Sequence, residues 1–289
     1  MTENKSIICL GMFDGVHAGH QALLREAVRL AAGERPVVAF TFLNHPAELF
    51  SGQVSTLSAN TQRMRWLKEN GADEVWAIPF DRAFAALPPE TFVERLLAKR
   101  PAEALVAGFN YTFGASGAGT AGTLTRLGEA YGFRAVIVPP VMFEGEPVSS
   151  TRIREAVSKG QLDKAEQMLT RPYTLYGPVV GNRQIGRRLG FPTANTDTGK
   201  MLLPPDGVYA SRAYVNGTVC RAVTNIGTNP TVGGDKRTVE THIIDFTGDL
   251  YGETPEIALM RYLRPEQTFP DEGSLKNAIE QDIAAALSL

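Results

Sequence analysis

Cysteine is nearly absent from this sequence. Only Cys9 and Cys220 occur among 289 residues, far apart and each within an apolar or strand-like run. Their separation excludes the spacing of a cysteine metal site or of a redox pair. We therefore predict that both are buried structural thiols of a protein that works in a reducing compartment.

A dominant sign of charge and long apolar runs are also missing. The formal net charge is −2, which gives no electrostatic reason for non-specific binding to nucleic acid or to a membrane surface. No apolar run approaches the roughly 18 residues of a membrane span, and the first residues lack a signal-peptide pattern. We expect a cytoplasmic protein with no nucleic-acid partner and no membrane partner, while the oligomeric state is left open.

A chain of 289 residues is long enough for about two domains. In its first part, strand-like apolar runs alternate with amphipathic stretches, which is the pattern of βα units around a parallel sheet. The predicted strands are Ile7–Leu10, Val37–Phe42, Glu74–Ile78, Ala104–Gly108 and Arg134–Val138. The predicted helices are Gln21–Ala32, Thr61–Lys68, Thr91–Lys99 and Thr123–Tyr131. We predict a doubly wound α/β domain over residues 1–170.

The second part of the chain has the signals of an antiparallel β fold. Asn216-Gly217 lies between the strand-like runs Gly207–Val215 and Thr218–Asn225, which is a strong hairpin signal. A closing helix is predicted at Gly273–Leu287, with one apolar stripe formed by Leu275, Ile279, Ile283 and Leu287. We predict a small antiparallel barrel with a C-terminal helix over residues 171–289.

The stretch Gly11–His20 is the strongest local signal. It joins the first predicted strand to the first predicted helix, so we interpret it as a corner whose glycines let the backbone approach a bulky group. A helix N-terminus suits phosphate, and His17 and His20, three residues apart, can face the same anion. The alternative is a tight turn with two surface histidines, but only four histidines occur in the chain.

The loops after the other parallel strands are candidates because ligands bind beyond the carboxyl ends of such strands. His45, before Pro46, is either a ligand-facing residue or a capping residue at the edge of the core. The loop from Gly108 to Gly114 is aromatic and suits a planar heterocycle. The glycines at 117–122 match G-x-G-x-x-G, but they come too far after the strand for a dinucleotide-binding turn.

Two further stretches have both a plain and a functional interpretation. Val148–Arg154 opens a helix predicted to run through Met168, and it is either an ordinary N-cap with solvated arginines or a phosphate grip. Tyr176–Asn195 is rich in glycine and arginine without being a P-loop, and it is either a phosphate-cradling loop or a basic surface hairpin. Glu240 lies in an alternating strand that could face solvent equally well.

These motifs resemble, in order, those of the bifunctional riboflavin kinase/FMN adenylyltransferases, the prokaryotic FAD synthetase family. The corner reads G-x-F-D-G-x-H-x-G-H, as in the flavin branch of the nucleotidyltransferases with an H-x-G-H motif. The His-Pro pair, the aromatic loop and the string S-S-T-x-I-R follow at the matching places. In the second half, P-T-A-N at 192–195 resembles the flavokinase signature, and V-E-T-H-I at 239–243 resembles a family strand. The stretches at 249–252 and 263–269 are similar to its closing motifs.

The resemblance implies two reactions on two domains. A flavokinase-like barrel would phosphorylate riboflavin to FMN with ATP, and the nucleotidyltransferase domain would adenylylate FMN to FAD with a second ATP, releasing pyrophosphate. The implied small-molecule partners are riboflavin, FMN and ATP, with Mg²⁺ as the cofactor. The alternatives are a single-activity adenylyltransferase and a catalytically silent flavin-binding regulatory module.

The resemblance also implies roles for individual residues. Glu240 would be the general base of the kinase, and His17, His20 and Arg152 would donate to the triphosphate during adenylylation. The residues implied to hold Mg²⁺ are Thr193 and Asn195. Those implied to bind ATP or phosphate are Gly11, Phe13, Asp14, Gly15, Gly19, Ser150, Thr151, Gly181, Arg183, Gly186, Arg187 and Gly190. Those implied to bind flavin are His45, Asn110, Phe113, Arg264 and Phe269. The chain departs from the family at Asn44, where proline is expected, and at Phe109, where glutamate is common.

Overall fold

The structure is a computed structural model that describes residues 5–181, 190–228 and 237–289. The chain divides into two compact units, of which the first comprises Met1–Thr56 and Asn60–Ser150 and the second Leu57–Ala59 and Thr151–Leu289. This division places residues 151–170 with the second unit. The predicted boundary between the two functional domains at residue 170 stays a prediction.

The first unit is built on a five-stranded parallel sheet. Its strands are β1 (Ser6–Leu10), β2 (Val37–Phe42), β3 (Glu74–Ile78), β4 (Ala102–Gly108) and β5 (Arg134–Val138). They pair in the order β3-β2-β1-β4-β5. The order reverses between β1 and β4, so the crevice for a ligand is expected beyond the carboxyl ends of these two strands. The predicted doubly wound α/β domain is confirmed.

Helices cover both faces of this sheet. They are α1 (Ala18–Ala31), α2 (Glu48–Ser51), α3 (Asn60–Glu69), α4 (Arg82–Ala85), α5 (Pro89–Lys99) and α6 (Ala121–Tyr131), with a hairpin of β6 (Met142–Phe143) and β7 (Glu146–Pro147). Along β1, Ile7 and Cys9 pack in one core cluster with residues of α1 and α3, and Ile8 and Leu10 pack in the other with residues of α5 and α6. The uninterrupted apolar run of β1 therefore reflects burial on two faces.

The two cysteines differ in their surroundings. Cys9 is buried, its Sγ lies 3.5 Å from the carbonyl oxygen of Leu23, and burial raises the pKa of its thiol. Cys220 is only partly buried, so the prediction of two buried thiols holds for Cys9 alone.

Two helix predictions are corrected by the structure. The helix predicted to continue through Met168 is two helices, α7 (Ser150–Ser158) and α8 (Leu162–Leu169), because Gly160 takes a left-handed conformation with φ of 69°. The first helix begins at Ala18 rather than Gln21, with His17 as its N-cap. His20 therefore lies in the first turn of α1.

The second unit contains a seven-stranded antiparallel sheet that curls into a half-barrel. Its strands are β8 (Tyr173–Tyr176), β9 (Val179–Val180), β10 (Ala194–Thr196), β11 (Gly207–Val215), β12 (Thr218–Thr228), β13 (Arg237–Ile243) and β14 (Glu256–Arg264). They pair in the order β8-β14-β11-β12-β13-β10-β9. The hairpin predicted at Asn216-Gly217 joins β11 to β12. The predicted antiparallel fold is confirmed.

The closing helix α9 spans Glu272–Leu287 and packs on this sheet. Ala286 and Ile283 contact a cluster with Val208, Ala210 and Val223 of β11 and β12. The predicted apolar stripe is wrong at its end, because Leu287 is 42% exposed whereas Asp282 and Ala286 are the buried residues of the helix. Within the described ranges, no helix is long and apolar enough to cross a membrane.

Candidate functional site

The corner after β1 has an unusual backbone. Phe13, Gly15 and Val16 have positive φ values of 54°, 75° and 36°. The ring of Phe13 is fully buried, and a Cβ added at Gly11 would lie 3.1 Å from it. A side chain at Gly11 would therefore crowd the Phe13 ring, which folds back on the end of β1. The Phe13 side chain itself supports the corner from the core.

His17 and His20 lie together at the start of α1. The Nδ1 atom of His17 accepts from the backbone N–H of His20 at 3.4 Å, and the two rings stack with centroids 3.7 Å apart. Because Nδ1 is an acceptor, the proton of the neutral His17 ring lies on Nε2. The structure therefore brings the two predicted catalytic histidines into contact at a helix N-terminus.

One glycine and one serine hold this histidine pair and its loop in place. A Cβ at Gly19 would lie 3.1 Å from Cε1 and 3.2 Å from Nδ1 of His17, so a side chain there would displace the ring. Ser150 donates from its hydroxyl to the backbone oxygen of Asp14 at 3.1 Å. Gly19 and Ser150, both predicted to bind ATP, thus shape the corner.

The loop after β2 is tied to the loop after β3. Asn44 donates from Nδ2 to the carbonyl of Phe80 at 2.9 Å and accepts from the Phe80 N–H at 2.8 Å. The proline expected at position 44 from the resemblance could form neither of these two side-chain bonds. His45 accepts at Nδ1 from the N–H of Ala47 at 3.2 Å, which orients its ring before α2.

Two aromatic side chains outside the predicted site residues are exposed near the same edge of the sheet. Phe50 in α2 is 76% exposed, and Phe109, directly after β4, is 44% exposed. Large exposed aromatic rings near a crevice are candidates for stacking on a planar ligand. Phe109 belongs to the aromatic loop that the sequence already indicated, whereas only its exposure in the folded unit identifies Phe50.

The aromatic loop after β4 is partly a packing device. Phe113 is buried, stacks on Tyr111 at 5.8 Å between centroids, and belongs to a core cluster. Gly119 pairs with it in an antiparallel bridge, where a Cβ would meet the Phe113 ring at 2.8 Å. Asn110 is exposed. Of the two predicted flavin neighbours in this loop, only Asn110 reaches the surface.

Arg152 and Thr151 lie in the first turn of α7, which the division of the chain assigns to the second unit from Thr151 onward. Thr151 is exposed and Arg152 is half-buried.

In the second unit, three strands align polar side chains on one face. Asn195 of β10 lies directly opposite Glu240 of β13, and Glu240 lies directly opposite Asn225 of β12. The alternate residues of β13, Val239 and Thr241, are buried on the other face, whereas Glu240 is half-buried. The predicted base and a predicted metal ligand are therefore cross-strand neighbours.

The P-T-A-N segment is fixed by the strand that carries Glu240. His242 donates from Nδ1 to the carbonyl of Pro192 at 2.9 Å, and its ring meets Phe191 edge-on at 5.6 Å. Thr193 follows Pro192 in the chain, and both residues line a cavity of about 540 Å³. That volume lies within the range of small-molecule sites, about 300–1,000 Å³.

The D-L-Y-G motif contributes to the same cavity. Asp249 and Tyr251 line it, and Asp249 accepts from the Tyr251 N–H at 3.0 Å. This motif resembles a closing motif of the family, but its residues were not among those predicted for the site. Arg183, Gly186 and Arg187 lie outside the described residues, and Gly181 and Gly190 flank that gap as exposed positions.

The predicted flavin residues near the C-terminus are engaged within the protein. Arg264 makes a bidentate ion pair with Asp282 of α9, at 3.0 Å from Nε to Oδ1 and 2.8 Å from Nη2 to Oδ2. Its guanidinium lies 5.5 Å from the ring centroid of Phe269. Glu266, between them, accepts from Asn225 Nδ2 at 3.0 Å, and a Cβ at Gly227 would collide with its carboxyl group.

Among the described residues, no group of three or more histidine, cysteine, aspartate or glutamate side chains could hold a metal ion. The oxygen atoms of Thr193 and Asn195 offer hard but few ligands. Such a set suits a cation that is held mainly by substrate phosphates.

Comparison with known proteins assigns each unit a counterpart. The FAD synthetase family profile matches residues 1–152, and the riboflavin kinase family profile matches residues 169–289. A bifunctional riboflavin kinase/FMN adenylyltransferase of Listeria monocytogenes is 34% identical over 287 residues, 97% of this chain and 91% of that protein. The corresponding protein of Escherichia coli K12 is 36% identical over 282 residues, 96% of this chain and 90% of that protein.

A solved structure shares the whole fold. The crystal structure of a protein described as a macrolide-efflux protein from Streptococcus pneumoniae superposes with a TM-score of 0.89 at 32% identity, covering 100% of this chain and 96% of that one. The two-unit architecture is therefore shared along the entire chain.

Proposed function

The chain belongs to the bifunctional riboflavin kinase/FMN adenylyltransferase family, and from this premise we propose which residues carry out its two reactions. The protein phosphorylates riboflavin to FMN and adenylylates FMN to FAD, as the sequence predicted. The observation that carries the proposal is that each matched family covers one predicted phosphate motif, the histidine corner in the first and the P-T-A-N segment in the second.

For adenylylation, we assign charge stabilisation to the corner. A phosphate oxygen of FMN attacks the α-phosphorus of ATP, and pyrophosphate leaves, so no protein nucleophile is needed. His17, His20 and Arg152 donate hydrogen bonds to the triphosphate as negative charge builds on the leaving group. The stacked rings at the N-terminus of α1 support this role, because donors there are held in place before the substrate arrives.

For phosphorylation, we assign the general base to Glu240. The ribityl 5′-hydroxyl of riboflavin attacks the γ-phosphorus of ATP, ADP leaves, and the carboxylate accepts the hydroxyl proton. The cavity beside Thr193 is the proposed site of the nucleotide, with the predicted glycines and arginines of 181–190 as its phosphate-binding loop. The support for Glu240 is the strand register, since Asn195 at the end of the P-T-A-N segment lies directly opposite Glu240.

Both families use ATP, generally with a divalent metal, and we infer that the metal is Mg²⁺. Thr193 and Asn195 would hold it together with the phosphates of ATP, in keeping with their hard oxygen atoms. When bound, the ion would neutralise phosphate charge.

The proposed flavin contacts combine the residues implied by the resemblance with the exposed rings of the first unit. His45 and Asn110, together with the exposed rings of Phe50 and Phe109, are the proposed flavin-facing side chains of the first unit. Phe269 remains the proposed neighbour of the flavin in the second unit. Phe113 and Arg264 are proposed to act by holding the loop and the closing helix in place.

The substrates are riboflavin, FMN and ATP, and we infer a cytoplasmic location without nucleic-acid or membrane partners from the composition. The test is to incubate the full chain with riboflavin, ATP and MgCl₂ and to separate the flavins by chromatography. FMN should appear first and FAD afterwards. FAD from supplied FMN but none from riboflavin would indicate a single-activity adenylyltransferase, and no product from either flavin would indicate a silent binding module.

A further inference from the structure

Arg63 is a charged side chain inside the first unit, and neither proposed reaction uses it. It lies on α3 and is 2% exposed. Burial lowers the pKa of its guanidinium, while the buried carboxylate of Asp14 opposes that shift. The group stays charged, because arginine is not deprotonated in proteins. A buried charge requires matched partners, so the identity of its partners is informative.

The partners of Arg63 belong to two different loops. Nη1 donates to the backbone oxygen of Met12 at 3.1 Å, within the histidine corner. Nη2 donates to the backbone oxygen of Phe42 at 2.5 Å, at the end of β2, from which the loop with His45 departs. Nη2 also donates to Oδ1 of Asn60 at 2.7 Å. One planar group therefore joins the ATP corner, which is the stretch Gly11–His20, to the flavin loop, which is the loop with His45 after β2.

The corner Gly11–His20 in particular needs such an anchor. The corner contains three residues with positive φ, including the non-glycine residues Phe13 and Val16, and such a backbone persists only when its surroundings hold it. The Thr41 hydroxyl donates to the same Met12 oxygen at 2.9 Å, so this carbonyl is held by two donors from different elements. A guanidinium fixes two acceptors in one plane, which the single ammonium of a lysine cannot do.

We propose that Arg63 is a positioning residue for FMN adenylylation, holding the ATP corner and the flavin loop in mutual register. This proposal rests on the function proposed for those two loops. Arg63 contacts no reacting atom, and its effect is exerted through the backbone of Met12 and Phe42. Without the planar guanidinium that binds both carbonyl oxygens, the two loops can shift relative to each other. A misplacement of reacting groups by about 1 Å costs roughly 10²-fold in rate.

The decisive variant is Arg63→Lys, which keeps a positive charge near Asp14 but loses the planar guanidinium that binds two backbone carbonyls at once. We expect kcat/KM for FAD formation from FMN to fall by roughly 10²-fold, with KM rising for both ATP and FMN. Phosphorylation of riboflavin by the same molecules should be unchanged and serves as an internal control. Arg65→Lys is the matched control, because Arg65 is exposed on the same helix and pairs with Glu69 at 3.2 Å.

A purely structural role gives a different result. If Arg63 only stabilises the unit, Arg63→Lys lowers the folded fraction and the apparent kcat, but both KM values stay at the wild-type level, and that outcome overturns the proposal. An unchanged kcat/KM overturns it as well.

Asn60, which is exposed at the start of α3, supplies a second test. Its Oδ1 accepts from Arg63, and its Nδ2 donates to the Leu43 carbonyl at 2.8 Å. Asn60→Asp keeps the acceptor for Arg63 and Asn60→Ala removes it, while both lose the bond to Leu43. We expect the Asp variant to keep KM values closer to wild type than the Ala variant, and equal values contradict the proposal. Failure of the wild-type chain to make FAD would instead contradict the proposed function.

Discussion

Gly19 lies between the two histidines of the corner, and its missing side chain leaves room for the ring of His17. An alanine there would place a Cβ 3.1 Å from that ring. Gly19→Ala should therefore lower the rate of FAD formation by up to about 10²-fold through displacement of His17. A steady-state assay of FMN conversion measures this.

The control for this substitution is Gly122→Ala. Gly122 is also the second residue of its helix, but a Cβ there meets nothing closer than the Thr120 hydroxyl at 3.7 Å. Alanine should be neutral or stabilise the helix by up to about 1 kcal/mol. Equal activity of the two variants would show that the position of the His17 ring does not matter.

His20 tests the histidine pair directly. His20→Ala should lose about 10²–10³-fold in FAD formation, the usual effect of removing one preorganised donor, while FMN formation persists. Product ratios from riboflavin, measured by chromatography, distinguish the two steps. An unaltered rate of FAD formation from FMN would show that the two histidines are surface residues without a catalytic role.

Glu240 tests the kinase step. Glu240→Gln preserves shape but removes the basic oxygen, so turnover of riboflavin should fall by roughly 10²–10⁴-fold with little change in its binding constant. FAD synthesis from supplied FMN should be untouched, because its nucleophile is already an ionised phosphate. Weakened riboflavin binding at normal saturated turnover would make Glu240 a binding residue instead.

At the scale of elements, the closing helix is held by a buried charge pair. Arg264 on β14 and Asp282 on α9 have side chains only 21% and 8% exposed. Asp282→Ala leaves the arginine without its partner, and we expect the second unit to lose about 3 kcal/mol of stability. Denaturant unfolding followed by the loss of flavokinase activity measures this.

The same helix offers a control. Glu280 faces solvent and reaches Lys276 only at 4.0 Å, so Glu280→Ala should change stability by no more than about 0.5 kcal/mol. If both variants unfold at the same denaturant concentration, α9 is not anchored through Arg264.

At the scale of the whole molecule, the two activities should separate with the two units. The fragment 151–289 contains the P-T-A-N segment, Glu240 and helices α7 and α8, and it should make FMN but no FAD. The shorter fragment 171–289 follows the predicted boundary, but it lacks α8, whose buried face includes Leu162, Ala165 and Met168. FAD from either fragment would contradict the assignment of His17 and His20.

Much of the fold of the first unit could be predicted from the sequence because strands buried on both faces, such as β1, have short continuous apolar runs. All five parallel strands were predicted to within two residues, since each is largely apolar and alternates with amphipathic helical stretches. Helix breaks were less visible. Gly160 ends α7 through its left-handed backbone, whereas a glycine within a helical pattern does not by itself mark a break.

The amino-acid sequence was sufficient to predict the architecture, because periodicity is a local property of the chain, and the resemblance of its ordered motifs to those of a known family implied the two reactions. Tertiary structure alone decided which side chains meet. Arg63 lies 51 residues from Met12 and Ser150 lies 136 residues from Asp14, so no local pattern relates them. Folding likewise buried Phe113 and paired Arg264 with Asp282, because each side chain takes the partner that the packed elements place beside it.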